Sequence, residues 1–184
     1  LTIVIEDVIA RRTVFELCEA FYGLDPQGRA GLAGHGGPGT RVRVLSEVMA
    51  GTWEALVSGR ADLAIGVGAG GEQPPPGVAI EALGTMPFVF AVAPHHPLAG
   101  HEGAINDAEL LHYRAVAVAD SAQRLSPRTV NLLPGQEVLT VSTMSDKIEA
   151  LRRGLGCGFA PLHLVRSLVD GGQLRVKPTQ RASS

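Results

Sequence analysis

The segment WEALVSGRADLAIG, from Trp53 to Gly66, constrains the fold more than any other part of the chain. Apolar residues at helical spacing are followed by Gly59, which is typical of a helix end, and an apolar run of strand length comes soon after it. A helix that leads almost directly into a buried strand is half of a β-α-β unit, in which the two strands are parallel. The segment therefore predicts an α/β protein with a parallel sheet.

The same alternation covers the first third of the chain. The run LTIVI at Leu1–Ile5 is continuously apolar, as expected of a strand that is buried on both faces. The predicted elements that follow are a helix opened by the T-x-x-E capping box of Thr13 and Glu16 and ended by Gly23, a long Gly- and Pro-rich loop at Leu24–Thr40, a strand at Val42–Leu45, a helix capped by Thr52, and a strand at Ala61–Val67.

The rest of the chain predicts a second α/β lobe. Strands are expected at Val78–Leu83, Phe88–Ala93, Arg114–Ala119, Glu137–Ser142 and Gln173–Lys177, with helices opening at the Asn106–Glu109 capping box, at Thr143 or Ser145, and near Pro161. The second and last of these strands are candidate crossovers between lobes. We therefore expect residues 1–87 to form the first part of lobe I, 88–172 to form lobe II, and 173–184 to form the return crossover and a truncated remainder of lobe I.

Composition narrows the class of protein. The chain has 184 residues and is 45% hydrophobic, which suits one domain or two small lobes. Its formal net charge is −2 and its basic residues form no cluster larger than pairs, so we do not expect this chain to bind DNA by itself. Only two cysteines, no secretory leader and no apolar run of about 20 residues are present, which favours a cytoplasmic protein.

Several motifs suggest a bound cofactor or metal, but their context argues against it. Gly66 to Gly71 matches G-x-G-x-x-G, yet prolines follow where a dinucleotide site needs a helix. The run GHGGPGT at Gly34–Thr40 lacks the lysine of a phosphate-binding loop. His95 and His96, with His101 and His112 nearby, match no standard zinc spacing. We therefore predict no cofactor and no metal.

Two polar groups lie at predicted strand ends. Glu6 and Asp7 could act as an acid–base pair, contact a ligand, cap a helix, or lie on the surface; neighbours on a strand point to opposite faces, so they need not converge. The hydroxyls of Ser142–Thr143 could cap the next helix, bind a ligand carboxylate, or do both. No G-x-S-x-G motif surrounds a serine, and no catalytic residue is predicted.

Taken with Phe88–Ala99, FVFAVAPHHPLA, the segment Trp53–Gly66 resembles the effector-binding domain of LysR-type transcriptional regulators. The triplet His96-Pro97-Leu98 fits the pattern that usually follows the crossover strand of that family. The resemblance implies two Rossmann-like lobes joined by crossover strands, as in type II periplasmic binding proteins, with a small-molecule effector in the cleft between them. The positions that the resemblance assigns to the effector site are Glu6, Asp7, Thr52, Pro94, His95, Ser142, Thr143, Met144 and Phe159.

The resemblance also implies partners. Sensor domains of the family pair antiparallel, through surfaces that match the Thr13–Phe21 helix and Val42–Leu45 in the first lobe and Val138–Val141 and the Ser145–Arg153 helix in the second. A homodimer is therefore expected, with a tetramer as a further form of the intact protein. DNA would be bound only by an N-terminal winged helix-turn-helix that this chain does not contain, and no membrane partner is expected.

The chemistry of the effector is left open by the sequence. Helix N-termini favour a small carboxylate. An Asp7 side chain that faced the cleft would instead favour a ligand with an amine, amide or hydroxyl, such as an amino-acid-like metabolite. Two other functions compete with the regulator: a solute-binding receptor of a transport system, which shares the architecture, and a small α/β enzyme.

Overall fold

The computed structural model describes residues 1–24, 39–68 and 76–182, which divide into two compact units. The first unit is drawn from Leu1–Pro75 and Ser121–Pro127, and the second from Pro76–Asp120 and Arg128–Ser184. These bounds differ from the predicted 1–87, 88–172 and 173–184 division in three places. Residues 76–87 and 173–182 belong to the second unit, and Ser121–Pro127 belongs to the first.

The first unit is a three-stranded parallel sheet with one helix on each face. Its elements are β1 (Thr2–Glu6), α1 (Arg11–Tyr22), β2 (Arg43–Glu47), α2 (Ala50–Val57) and β3 (Leu63–Ile65), and the strand order is β2-β1-β3. Both strand pairs are parallel, so the predicted β-α-β-α-β arrangement is confirmed. The central strand is buried on both faces, because Val14 of α1 packs with Ile3 and Ile5 while Ala55 of α2 packs with Val4.

Both predicted helix starts in the first unit are wrong. Helix α1 begins at Arg11, before the proposed Thr13 cap, and its N-cap residue Ala10 makes no side-chain capping bond. Glu16 instead pairs with Arg12 one turn earlier, at 2.7 Å. Helix α2 begins at Ala50, two residues before Thr52, after an N-cap residue, Met49, with a positive φ of 51°.

The second unit has a mixed sheet covered by three helices. Its elements are β4 (Phe88–Val92), a short 3₁₀ helix (Pro97–Gly100), α3 (Asp107–Leu110), β5 (Ala115–Val118), β6 (Val138–Val141), α4 (Met144–Arg152), β7 (Gly158–Pro161), α5 (Leu162–Asp170) and β8 (Arg175–Lys177). Strands β7-β4-β8 are antiparallel neighbours and β5-β6 are parallel. A bridge between Ala115 and Cys157 links the two groups of strands.

Strand alternation separates two core clusters in the second unit. Phe90, Val92 and Phe159 point to one face, where they meet Ile105 and Leu110. Ala91 and Ala160 point to the other face, where they meet α4 and α5 at Leu151 and Val165. This period of two is the ordinary consequence of the pleat.

The predictions for the second unit are partly confirmed. The Asn106–Glu109 capping box is present in full, and Thr143 is the N-cap of α4. The strand predicted at Val78–Leu83 is wrong, because that segment is exposed and pairs with no described strand. The last strand pairs with β4, which keeps residues 173–182 in the second unit.

Candidate functional site

Two of the predicted effector residues, Glu6 and Thr52, bond to each other inside the first unit. Glu6 ends β1, is 6% exposed, and both carboxylate oxygens accept the Met49 N–H at 3.0 Å. The hydroxyl of Thr52, which is fully buried, donates to Glu6 Oε2 at 2.7 Å. The carboxylate thus lies at the N-terminus of α2, where the helix dipole favours negative charge. The place that an effector anion would take there is filled by the protein's own side chain.

Asp7 remains partly exposed beside Glu6. Ser46 Oγ donates to Asp7 Oδ1 at 3.3 Å. Both residues line a cavity of about 20 Å³ between β1, β2 and α1. That volume holds about one water molecule. By itself this cavity is too small for a metabolite.

A second buried carboxylate of the first unit, Glu54 of α2, was not singled out in the sequence and binds a distant segment of the chain. Glu54 is 6% exposed, and its Oε2 accepts the consecutive N–H groups of Gln123, Arg124 and Leu125 at 2.9, 2.7 and 3.0 Å. The Arg124 and Leu125 N–H groups are the main causes that lower the pKa of Glu54, while burial opposes them. The three donors lie 69 to 71 residues from Glu54 along the chain, so local sequence patterns do not reveal the contact. The one indication is an acidic residue on a helix that is otherwise mostly buried.

Next to this segment the first unit has an open depression of about 680 Å³ that is lined by polar and charged residues. Its lining residues are Glu47, Glu54, Ser58, Arg60, Ser121, Gln123 and Arg124. Arg60 and Glu47 form an ion pair at 2.9 Å across it. Ligand sites are usually concave and largely apolar, so these mixed charges do not mark this depression as the effector site.

In the second unit the Ser142–Met144 turn is confirmed as a helix start. Thr143 Oγ1 accepts the Asp146 N–H at 3.0 Å and donates to the Asp146 carboxylate at 2.7 Å. Ser142 is exposed, whereas Met144 is 7% exposed and belongs to the buried face of α4. The capping alternative therefore holds for Thr143, and Ser142 is the polar side chain of this turn that is open to a ligand.

The predicted residues Pro94 and His95 do not join that turn. His95 Nε2 lies 3.3 Å from the carbonyl oxygen of Arg153, at the C-terminal end of α4. Thr143 caps the N-terminal end of the same helix, and a nine-residue helix is about 13 Å long. A side chain on Gly154, whose φ is +73°, would overlap the His95 ring, so the glycine makes this contact possible. His95 therefore lies about a helix length from the hydroxyl turn.

His96 has a structural role. Its Nδ1 accepts the Leu98 N–H at 3.2 Å, which caps the short 3₁₀ helix, and the ring packs against Tyr113 with centroids 5.3 Å apart. Burial, and secondarily the nearby His95, lower the pKa of His96, so the ring is neutral near pH 7. The His-Pro-Leu triplet thus marks the start of the 3₁₀ helix that follows β4.

Phe159, the last predicted effector residue, is a core residue. It is 5% exposed and packs edge-on against Phe90 with ring centroids 5.3 Å apart. Its neighbour Gly158 faces the opposite side of the sheet, toward α4 and Lys147. Thr143 and Phe159 thus lie on different faces, and the structure does not bring them to one site.

Lys147 was not predicted as a functional residue, but its environment is unusual. It lies in the first turn of α4, is 8% exposed, and burial lowers its pKa to about 8. Cys157 is its titratable neighbour, and burial raises the pKa of that thiol to about 11. The sequence led to no prediction for Lys147.

Nothing in the described residues points to a metal or a membrane segment. Over residues 1–24, 39–68 and 76–182, no three His, Cys, Asp or Glu side chains are arranged to hold a metal ion. No helix in that part of the chain is both long and apolar enough to cross a bilayer. The Gly34–Thr40 motif and the end of the G-x-G-x-x-G motif lie outside the described residues, apart from Gly39 and Thr40.

Comparison with known proteins decides the family. Residues 35–183 match the family described as the LysR substrate binding domain. The chain belongs to that family. It is 39% identical over 137 residues to the HTH-type transcriptional regulator YeeY of Escherichia coli (strain K12), covering 73% of this chain and 43% of that protein. It is 35% identical over 137 residues to the HTH-type transcriptional activator AllS of Klebsiella pneumoniae, covering 74% and 50%. The chain thus spans about half the length of the curated relatives it matches.

Solved structures of the family share the fold. The effector binding domain of QuiR in complex with shikimate aligns with a TM-score of 0.66 at 14% identity, covering 100% of this chain and 82% of that one. The Synechocystis PCC6803 CcmR regulatory domain in complex with 2-PG aligns with a TM-score of 0.64 at 15% identity, covering 99% and 81%. The fold is therefore the two-lobed, periplasmic-binding-protein-like α/β fold of LysR effector-binding domains, as the resemblance implied.

Proposed function

We propose that this chain is the effector-sensing domain of a LysR-type transcriptional regulator, and that a small metabolite is its ligand. The observation that carries the proposal is the family match over residues 35–183, together with a fold shared with effector-binding domains solved with shikimate and 2-PG. The named relatives are transcriptional regulators, which supports a regulator over a transport receptor or an enzyme. A metabolite that binds two arrangements of the protein unequally shifts the balance between them.

We propose that DNA is bound by another part of the intact protein and not by this chain. The curated relatives are about twice as long as the stretch they share with this chain and carry the HTH description in their names. This chain has a net charge of −2, which does not suit a phosphate-binding surface. We therefore expect the isolated chain to bind its effector and not DNA, and we expect the intact regulator to be cytoplasmic.

The structure of each unit supports two of the predicted effector residues over the others. Glu6 and Thr52 bond each other, Phe159 is in the core, and His95 lies at the C-terminal end of α4. Asp7 and Ser142 retain accessible polar groups at the ends of β1 and β6, where parallel sheets bind ligands. We propose each of them, within its own unit, as a candidate polar contact of the effector.

A ligand screen tests the proposal. Thermal unfolding would be followed with shikimate, other small carboxylates and amino acids; a ligand at 100 times its Kd stabilises the folded protein by about 2.7 kcal/mol. The expected result is one class of compound that stabilises the wild type, with a weaker effect on Asp7→Asn or Ser142→Ala. Ser167→Ala, an exposed change on α5, is the matched control. The site assignment is wrong if both variants respond like the control, and the sensing function is wrong if no compound stabilises any of them.

We also propose a homodimer that uses the outer face of α1. Phe15 and Tyr22 are seven residues apart, which places them on one face of the helix, and they are 61% and 48% exposed. On the adjacent strand β2, Val44 is 39% exposed. Exposed apolar side chains grouped in this way mark an interaction surface. Because sensor domains of the family pair with each other, we propose a second copy of this chain as the partner at this surface.

Light scattering tests the dimer. The wild type should have about twice the 19.2 kDa mass of the chain. The Phe15→Glu/Tyr22→Glu variant should have the mass of the monomer. Leu83→Glu is the control, because Leu83 is 79% exposed and lies outside the proposed surface. A dimer that survives the α1 double substitution would contradict the assignment.

A further inference from the structure

Lys147 is a buried cation without a described partner. It is 8% exposed, and over residues 1–24, 39–68 and 76–182 no carboxylate or carbonyl accepts a bond from its ammonium group. The titratable group that interacts with it electrostatically is the thiol of Cys157. Buried charges in proteins are normally paired, because removing an ion from water costs several kcal/mol. A lysine that folding leaves unpaired is therefore a candidate for a partner that arrives from outside.

The ammonium group of Lys147 is buried but keeps some contact with solvent. Within the described residues, His101 Nδ1 is the one side-chain nitrogen or oxygen that is both shielded from solvent and without a hydrogen-bond partner. Lys147 Nζ has no bonding partner either, so it must keep contact with solvent. The tip of this otherwise buried side chain therefore meets solvent, which is the side from which a ligand would approach it.

A glycine makes room for that tip. A Cβ on Gly158 would lie 3.4 and 3.5 Å from Lys147 Cε and Nζ, and 3.1 Å from the carbonyl oxygen of Val116. The separation from the Val116 oxygen would be tight and would press on strand β5, whereas those from the lysine are ordinary van der Waals contacts, so the ammonium end lies directly against the backbone of Gly158. The start of β7 therefore provides a shallow recess against which the ammonium group lies.

The surroundings favour an anion. Lys147 is in the first turn of α4, where the helix dipole adds positive potential, and helical side chains lean toward the N-terminus of their helix. The negative group of the same turn, Asp146, already accepts the hydroxyl proton and lies beside the cap of Thr143. At the N-terminus of α2 the corresponding position is filled by Glu6. Lys147 is thus the cation that an anionic ligand can still use.

We propose that Lys147 binds the carboxylate group of the effector at the N-terminal end of α4. The inference rests on the proposed sensing function and adds a ligand class and an anchor to it. A charge-assisted hydrogen bond between an ammonium and a carboxylate is about twice as strong as a neutral one, and here it would pair a buried charge. Uncharged analogues of the same ligand would lack this bond.

The chain contains two lysines, which makes a direct measurement simple. Protein labelled with ¹³C and ¹⁵N in lysine gives two side-chain Cε signals, and Lys177 is the internal control because its ammonium group donates to the carbonyls of Ala99 and His101. Shikimate and benzoate would be titrated, with methyl shikimate and benzamide as uncharged partners. Bound carboxylate should move the Lys147 signal and raise its pKa from about 8 by at least one unit, with Lys177 unchanged.

A variant tests the same contact by affinity. Lys147→Met keeps a similar shape without the charge and should fold at least as stably as the wild type. We expect about a 10-fold loss of affinity for the carboxylate and no change for the uncharged analogue. If carboxylates stabilise the protein but leave the Lys147 signal and the Lys147→Met affinity unchanged, the anchor is wrong and the sensing function stands. If no carboxylate stabilises or perturbs the wild type, both the anchor and a carboxylate-sensing function are wrong.

Discussion

Replacing Gly51 by alanine should destabilise the first unit, although alanine is the better helix former. Gly51 is in the first turn of α2 and is buried against the backbone of Ser121. A Cβ at this position would overlap Ser121 Oγ and lie 2.9 Å from the Ser121 carbonyl carbon. Ser121 cannot move freely, because its Oγ accepts the Val48 N–H at 2.8 Å.

The magnitude follows from three contributions. Greater helix propensity stabilises the variant by about 1 kcal/mol. Overpacking of a well-packed site costs about 1–3 kcal/mol. Loss of the hydrogen bond between Val48 and Ser121 costs about 1 kcal/mol. The steric and hydrogen-bond costs outweigh the propensity, so the free energy of unfolding should fall by about 1–3 kcal/mol.

Trp53 makes the measurement local. It is the single tryptophan of the chain and lies two residues from Gly51, so urea unfolding followed by its fluorescence reports on the first unit. Gly68→Ala is the matched control, because Gly68 belongs to the same unit and nothing lies within 4 Å of its Cβ position. Adding Ser121→Gly to Gly51→Ala should recover part of the loss, since the two changes meet at one contact. The packing argument fails if Gly51→Ala unfolds at the wild-type urea concentration or above it.

Three further outcomes are expected. Leu151→Ala truncates a fully buried residue of the second unit and should lower the free energy of unfolding by about 2–5 kcal/mol. Unfolding would be followed by far-ultraviolet circular dichroism, and a decrease below about 1 kcal/mol would contradict the core role of Leu151. Because the pKa of His96 is lowered in the folded protein, the unfolded chain binds a proton first as pH falls, and the free energy of unfolding should decrease below about pH 6.5. The variant His96→Asn should show a weaker dependence of the unfolding free energy on pH. An unchanged pH dependence in that variant would exclude His96 as its source. Burial raises the pKa of Cys157 to about 11, so a thiol reagent at pH 8 should modify Cys18 in the native protein and Cys157 only after unfolding. Rapid modification of both cysteines in the native protein would refute this.

The elements that the sequence predicts correctly are those governed by local chemistry. Continuous apolar runs identify β1 and β4, and the Asn106–Glu109 box identifies α3 because both of its bonds form within four residues. The Thr13–Glu16 pattern has the same spacing but fails, because Glu16 has a competing partner in Arg12. Strand β7 was missed since Gly158 and Pro161 have poor strand propensity, and its pairing with β4 decides the conformation.

The site was harder to predict because its residues are defined by distant contacts. For Glu6 the residues left ligand contact, helix capping, acid–base chemistry and plain surface open, and its partners Met49 and Thr52 lie more than 40 residues away in the chain. Phe159 matches a family position but is covered by Phe90. The buried state of Lys147 depends on Gly158 and on the packing of α4 against the sheet, which no local spacing reveals.

The hold of Glu54 on residues 123–125 affects how this protein can be divided for experiments. The first unit is assembled from two stretches that lie far apart in the polypeptide. A fragment that ends after β3 would lack the three backbone N–H groups that donate hydrogen bonds to the buried Glu54 carboxylate. Dissection of the protein by simple truncation should therefore yield an unstable fragment, whereas a fusion that restores residues 121–127 through a short engineered bridge should yield an autonomous one.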